Sequence, residues 1–220
     1  MKGSVAELLE PHFFLFLGKG LLLTLQIAAI AIALSFVFGT LLGIARYSGH
    51  PVLGRIAAVY VEAVRNVPML LLILFARFVS RLSPVQAGIA AMTIFTAAVI
   101  AEIVRGGLNA VDRGQWEAAR SQGFTYVQTL RHIVLPQALR RMIPPLLSQF
   151  TTAIKDTSYV WVVGVEELTG KGMIILGQYG STAQFFAIFG LIGAVYFAIN
   201  FLLSQFARGQ EQRLRAAGVS

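Results

Sequence analysis

The chain has 220 residues, of which 56% are hydrophobic and only 13% charged, with a formal net charge of +8, and its mean hydropathy is +0.72. Soluble globular chains carry about 25% charged residues, so this composition excludes an ordinary water-soluble domain and places the chain in lipid. It has no cysteine, which removes disulfides, thiol catalysis and cysteine-based metal sites, and its three histidines (His12, His50, His132) are too scattered to form a metal cluster. The positive charge fits basic loops on the cytoplasmic side of a membrane, and no soluble domain is left over to bind nucleic acid.

In chain order, the first twenty residues mix Lys2, Glu7, Glu10, His12 and Lys19 with a short Phe-rich run, so no cleavable leader is expected. Five apolar segments stand out, at about 21–45, 56–79, 85–108, 142–165 and 185–207. Each has the length of a tilted spanning helix, which needs about 20 residues. None alternates apolar and polar residues as the strands of a membrane barrel do. The expected fold is an all-α membrane protein with about five transmembrane helices in a single domain over 1–220. Within the first segment, Gly39 and Gly43 have the spacing that lets helices approach closely, and they read as packing.

Basic residues between the segments set the orientation. Arg46 and Arg55 flank the first connection, Arg113, Arg120, Arg131, Arg140 and Arg141 lie in the long third one, and Arg208, Arg213 and Arg215 lie in the tail. The opposite side offers Lys2, Lys19, Arg77, Arg81 and Lys171, a balance of ten against five. The N-terminus is therefore expected outside and the C-terminus in the cytoplasm, together with the connection over about 113–136.

That connection is polar and helical in pattern. Helix formers run from Gln115 to Gln122, Gly123 interrupts them, and a second short helix is expected from about Thr125 to Val134, before Pro136. Glycine takes the left-handed geometry that stops a helix cleanly, so a helix-turn-helix on the membrane surface is expected. Its Glu117-Ala118-Ala119, Gly123 and Ile133-x-Leu135-Pro136 resemble the cytoplasmic EAA loop of ABC-importer membrane subunits, with every fixed position and gap present. The resemblance implies the type I ABC importer fold, with a short helix that seats in a groove on an ATPase. The two alanines would give a smooth docking face, and Glu117 a charge to pair with the partner or within the loop. Without a partner the same residues read as an amphipathic surface helix.

The chain itself is not expected to be an enzyme. A phosphate loop needs Gly-x-x-x-x-Gly-Lys-Ser/Thr; the stretch Gly164 to Gly172 has five residues between its first two glycines and Gly172 where the hydroxyl belongs. No cofactor is expected on this chain, and ATP with magnesium would be used by a separate ATPase subunit.

Charged residues inside spanning helices are costly and usually functional. Glu62 and Arg65 lie in the second segment, Glu102 and Arg105 in the third, and Lys155 and Asp156 in the fourth. The first two pairs have i,i+3 spacing, which puts both partners on one helix face. They read either as local ion pairs or as part of the substrate pathway. Lys155 and Asp156 are adjacent, so they point apart and each needs another helix, another subunit, water or a substrate. A free amino acid carries one carboxylate and one ammonium, which a fixed Lys and Asp complement; an interhelical ion pair is the alternative.

Tyr60-x-Glu62-x-x-Arg65-Asn66-x-Pro68, Ala101-Glu102-Ile103-x-Arg105-Gly106-Gly107 and Lys155-Asp156-Thr157-Ser158 resemble signature segments of polar-amino-acid permeases, and the similarity runs from about Thr24 to the tail. The resemblance implies a multi-pass subunit of the bacterial cytoplasmic (inner) membrane. Its implied partners are an ABC ATPase, a second permease chain in a homodimer or heterodimer, an extracytoplasmic substrate-binding protein and membrane lipid. A glutamine-type substrate is favoured, with Thr157 and Ser158 beside it, and glutamate, aspartate, arginine and histidine as alternatives. Tyr159 stands where leucine is the family's usual residue, which leaves the exact ligand open. Two other readings remain at this level: an ion-coupled carrier that works alone, and a structural membrane subunit without a pathway of its own.

Overall fold

The computed structural model describes residues 10–179 and 181–216. Those residues are helical throughout, with no strand among them. In chain order the helices are α1 (Pro11–Tyr47), α2 (Leu53–Arg65), α3 (Met69–Val79), α4 (Pro84–Asn109), α5 (Arg113–Ser121) and α6 (Tyr126–Thr129). A π turn (Leu130–Val134) leads into α7 (Leu135–Asp156), and a 3-10 turn (Thr157–Val163) leads to α8 (Leu168–Tyr179) and α9 (Thr182–Ala216). Lys2, counted above for orientation, lies outside the described residues.

Local chemistry sets several of the helix starts. Ser83 and Gln86 exchange hydrogen bonds at the head of α4, each accepting from the other's backbone N–H at 3.4 and 3.2 Å. Pro84 then occupies the first helical position, where a missing N–H costs nothing. Ser181 and Gln184 repeat the arrangement at the head of α9. His50 accepts the N–H groups of Val52 and Leu53 and so opens α2.

Two of the expected apolar segments are interrupted. The segment over 56–79 is two helices, α2 and α3, because Pro68 has no N–H and forces its predecessor out of helical geometry. Asn66 meets the resulting demand by donating from Nδ2 to the Glu62 carbonyl at 2.7 Å. The segment over 142–165 belongs to α7, which starts earlier and ends at Asp156, and to the 3-10 turn, which closes at Gly164 with φ +86. Among the described residues, three helices are long and apolar enough to cross a membrane (Pro11–Tyr47, Pro84–Asn109, Thr182–Gln210), and α2 with α3 makes a fourth if taken as one span.

The chain forms two compact units. The first comprises Met1–Ala33, Val67–Thr93 and Thr151–Leu202; the second comprises Leu34–Asn66, Ile94–Phe150 and Leu203–Ser220. In the first, Phe13 and Leu17 of α1 form a core with Leu168 and Ile175 of α8 and Ile188 and Ile192 of α9. In the second, Ile100, Val104 and Leu108 of α4 pack with Val134 and with Ala138, Met142 and Leu146 of α7.

Lipid tails are as apolar as leucine, so greasy surface alone does not hold helices together in a membrane; close packing does. Gly39 and Gly43 supply it. A Cβ on Gly39 would sit 2.7 Å from the Ala97 carbonyl and from Ile100 Cβ, and one on Gly43 would sit 2.7 Å from the Ala101 carbonyl and from Val104 Cβ. The obstruction is backbone and branched Cβ, which cannot swing aside. Gly39→Val and Gly43→Val are expected to cost about 1–3 kcal/mol each and to lower the melting temperature of the detergent-solubilised protein. Gly190→Ala, on α9 with nothing within 4 Å of the new methyl, is expected to leave it unchanged. Equal melting temperatures for all three variants would remove the packing role.

Candidate functional site

The surface hairpin in the second unit is built by caps. Asp112 precedes α5 and accepts the Gly114 N–H at 2.6 Å. At the other end Gly123 takes φ +83, its N–H bonding the Arg120 carbonyl while the Phe124 N–H bonds the Ala119 carbonyl, both at 3.0 Å. This pair of bonds is the Schellman closure, which needs a left-handed residue and so favours glycine. Thr125 and Gln128 form a capping box at the head of α6. Trp116 of α5 stacks on Tyr126 of α6, with ring centroids 5.1 Å apart. Gln137 Nε2 donates to Gln115 Oε1 at 3.2 Å and ties α5 to α7. The π turn before α7 has a cause too: Pro136 has no N–H, and its ring would clash with the carbonyl four residues back in a regular helix.

These caps sort the pattern residues into two groups. Glu117, Ala118, Gly123, Leu135 and Pro136 are exposed, Ile133 is half-buried and Ala119 is buried. Phe124, Tyr126 and Val127 are also exposed. The hairpin thus presents a face that is partly charged, with Glu117 beside exposed arginines, and partly apolar. The motif pattern does not include Phe124 or Val127; their signal is apolar character in an otherwise polar connection.

The second unit also gathers the expected charge pairs, with different partners. Glu102 pairs with Arg105 as its i,i+3 spacing predicts. Glu62 does not pair with Arg65: Arg46 lies 3.4 Å from Glu62 and 2.6 Å from Glu102, and Arg65 approaches Glu102 at 3.9 Å. The result is one network centred on Glu102. Arg46, at the end of an apolar helix, was legible only as a topology signal; in the fold it lies within reach of both glutamates. Behind the network, Val61 packs on Ala98 and Ala101, and the Tyr60 hydroxyl donates to the Ile94 carbonyl at 2.8 Å.

The first unit holds the polar turn. Lys155 is exposed and Asp156 half-buried, and neither forms an ion pair or side-chain hydrogen bond among the described residues. Thr157 is fully buried, its hydroxyl donating to the Ile154 carbonyl at 2.7 Å and lying 3.5 Å from the Tyr196 hydroxyl. Ser158 is half-buried, and Tyr159 and Trp161 are exposed. Of the four residues expected along the pathway here, Thr157 is turned into the packing.

An all-helical membrane component carrying a rigid, outward-presented helical hairpin is the class these observations define. The chain belongs to the family described as binding-protein-dependent transport system inner membrane component, which matches residues 35–216. It is 48% identical over 203 residues to the probable glutamine ABC transporter permease protein GlnP of Bacillus subtilis (strain 168), covering 90% of this chain and 93% of that one. It is 34% identical over 205 residues to the glutamine transport system permease protein GlnP of Escherichia coli (strain K12), covering 90% and 92%. Among solved structures, an amino acid ABC transporter crystallised with histidines matches with a TM-score of 0.87 at 28% identity, covering 97% of this chain and all (100%) of that one. The fold is that of type I ABC importer permeases. The chain is a transport subunit rather than an enzyme, with ATP hydrolysis on a separate subunit.

Within the charge network, Arg46 is only 14% exposed and Arg65 is 42% exposed. Exposed ion pairs contribute about 0–1 kcal/mol, and partly buried ones more. A double-mutant cycle on stability is expected to give a larger coupling energy for Arg46–Glu102 than for Arg65–Glu102, about 1 kcal/mol or more against near zero. Equal couplings would contradict the geometry.

Proposed function

We propose that this chain is the membrane subunit through which an ATP-driven importer carries a polar amino acid, glutamine or a close relative, into the cytoplasm. The observation that carries the reading is the capped α5–α6 hairpin, whose face at Glu117 and Ala118 is exposed while Ala119 and Thr129 turn inward and are buried. Three caps, a stacked aromatic pair and a tie to the next helix hold that face in one geometry. A rigid hairpin transmits motion between a docked ATPase and the membrane helices. The substrate class follows from the likeness to glutamine permeases.

In this reading the chain crosses the membrane five times, with α2 and α3 as one interrupted span and α7 with its 3-10 turn as another. The N-terminus is outside, and the hairpin and C-terminus are cytoplasmic. A second permease chain, identical or related, completes the pathway. A binding protein delivers the amino acid from outside. Lys155 and Asp156, with Ser158, meet the substrate's carboxylate and ammonium; that neither forms an ion pair or side-chain hydrogen bond among the described residues supports that role. Thr157 shapes the turn, and Glu62, Arg65, Glu102 and Arg105 contribute a second polar patch.

The direct test is ATPase activity of the subunit reconstituted in liposomes with its ATPase and binding protein, with one amino acid added at a time. Glutamine or a related polar amino acid is expected to stimulate hydrolysis; no stimulation by any amino acid in an assembled complex would contradict the proposal. Uptake is also expected to stop when ATP is depleted with the proton gradient intact, and its survival would indicate an ion-coupled carrier.

Exposure separates docking from folding. Ala118→Leu is expected to leave the permease's melting temperature unchanged while abolishing stimulated hydrolysis. Ala119→Leu, at a buried position, is expected to destabilise the permease by about 1–3 kcal/mol. The reverse pattern would move the docking face elsewhere.

A further inference from the structure

Glu167 lies outside the hairpin and outside the polar turn, yet it is fully buried, at 0% exposure. Its Oε2 accepts from the Thr24 hydroxyl at 3.1 Å, the Thr169 N–H at 3.0 Å and the Tyr196 hydroxyl at 2.9 Å. Its Oε1 accepts from the Gly170 N–H at 2.8 Å. The Thr24 hydroxyl is held in turn by the Leu168 N–H, at 3.1 Å. The two backbone N–H groups donate to the carboxyl and the two hydroxyls lie within hydrogen-bonding distance of it, so four groups meet its two oxygens. A buried charge is costly unless it is fully bonded. Here α1, α9 and the first turn of α8 supply the bonds, and the helix N-terminus favours the negative charge.

Two neighbours tighten the assembly. Gly20 lets α1 approach the head of α8, since a Cβ there would meet the Glu167 carbonyl at 3.0 Å. Lys171, 8% exposed, pairs with Glu166 at 3.1 Å and lies over the Phe16 ring at 3.8 Å.

The polar turn is fastened to this group at both ends. At its start, Thr157 packs its hydroxyl 3.5 Å from that of Tyr196. At its end, Gly164 turns the chain through left-handed geometry, and Glu167 follows three residues later. Between them Val160 is buried against Gly88 of α4, where a Cβ would approach to 2.8 Å. Lys155 and Asp156 stand immediately before the turn.

We infer that Glu167 is a positioning residue: by clamping Thr24, Tyr196 and the head of α8 it fixes the turn that presents Lys155 and Asp156, and so sets how tightly the importer engages its amino acid. The inference rests on the reading that those two charges face the substrate.

The test uses the importer reconstituted in liposomes with its ATPase and binding protein, reading ATP hydrolysis against glutamine concentration. Thr24→Val removes one donor to the carboxylate, and Tyr196→Phe removes another with little change of shape. Each is expected to raise the half-stimulating concentration about tenfold, the size of one lost hydrogen bond to a charged group, with basal hydrolysis unchanged. Thr24→Ser, which keeps the hydroxyl, is expected to restore the wild-type value. An unmoved half-stimulating concentration in Tyr196→Phe would overturn the inference. So would a loss of basal and maximal hydrolysis together, with no shift in the half-stimulating concentration, in either variant that assembles. A wild-type complex that no amino acid stimulates would sink the functional reading and this inference with it. A responsive wild type with unmoved variants would sink this inference alone.

Discussion

A helix that stops leaves backbone groups in need of partners, costly where water is excluded, and the interruptions in this chain are organised around that demand. Asn66 turns back onto the Glu62 carbonyl where Pro68 ends α2. Glu167 collects the first N–H groups of α8 after Gly164 has redirected the chain. Where no break is required, as in α1, the helix runs through on a mostly apolar sequence. Polar residues therefore concentrate at the breaks, and the chemistry of the chain concentrates there with them. Lys155 and Asp156 stand at the end of α7, where the helix tightens into a 3-10 turn.

The same economy governs how helices are held. Burial of leucine gives little advantage over lipid, so contact is secured by glycines that remove side chains and by charges that find partners. Gly39 and Gly43 bring α1 onto the backbone of α4, and Arg46, near the end of the same helix, reaches Glu102 of α4. Steric fit and an ion network thus act on one pair of helices. The hairpin uses different means, since it lies in a polar stretch: caps, a stacked Trp116 and Tyr126, and a glycine that only left-handed geometry explains.

Much of this was legible in the residues. The apolar runs marked the long helices, Gly39 and Gly43 marked a close contact, and the spacing around Gly123 marked a helical hairpin that is indeed built on it. Ser83-x-x-Gln86, Thr125-x-x-Gln128 and Ser181-x-x-Gln184 carried a capping signature that hydropathy alone passes over. What was not legible depends on other helices. Spacing of i,i+3 places Glu62 and Arg65 on one face, but it does not reveal that Arg46 competes for the glutamate. Hydropathy reads 56–79 as one run, because a single proline barely changes the average while it removes a backbone donor. Thr157 was placed beside the substrate only by the resemblance of Lys155-Asp156-Thr157-Ser158 to a family segment; its orientation towards Tyr196 depends on another helix. Glu167 sat in a short polar connection that suggested only a loop.

The account turns on Ala118 lying on a cytoplasmic face that an ATPase covers. The chain contains no cysteine, so Ala118→Cys introduces a single reactive thiol. The measurement is labelling of that thiol by a membrane-impermeant maleimide, in right-side-out and inside-out vesicles, with and without the cognate ATPase. Labelling from the cytoplasmic side alone, with protection once the ATPase is bound, is the result predicted. Labelling from the outside, or equal labelling with the ATPase in place, would contradict it.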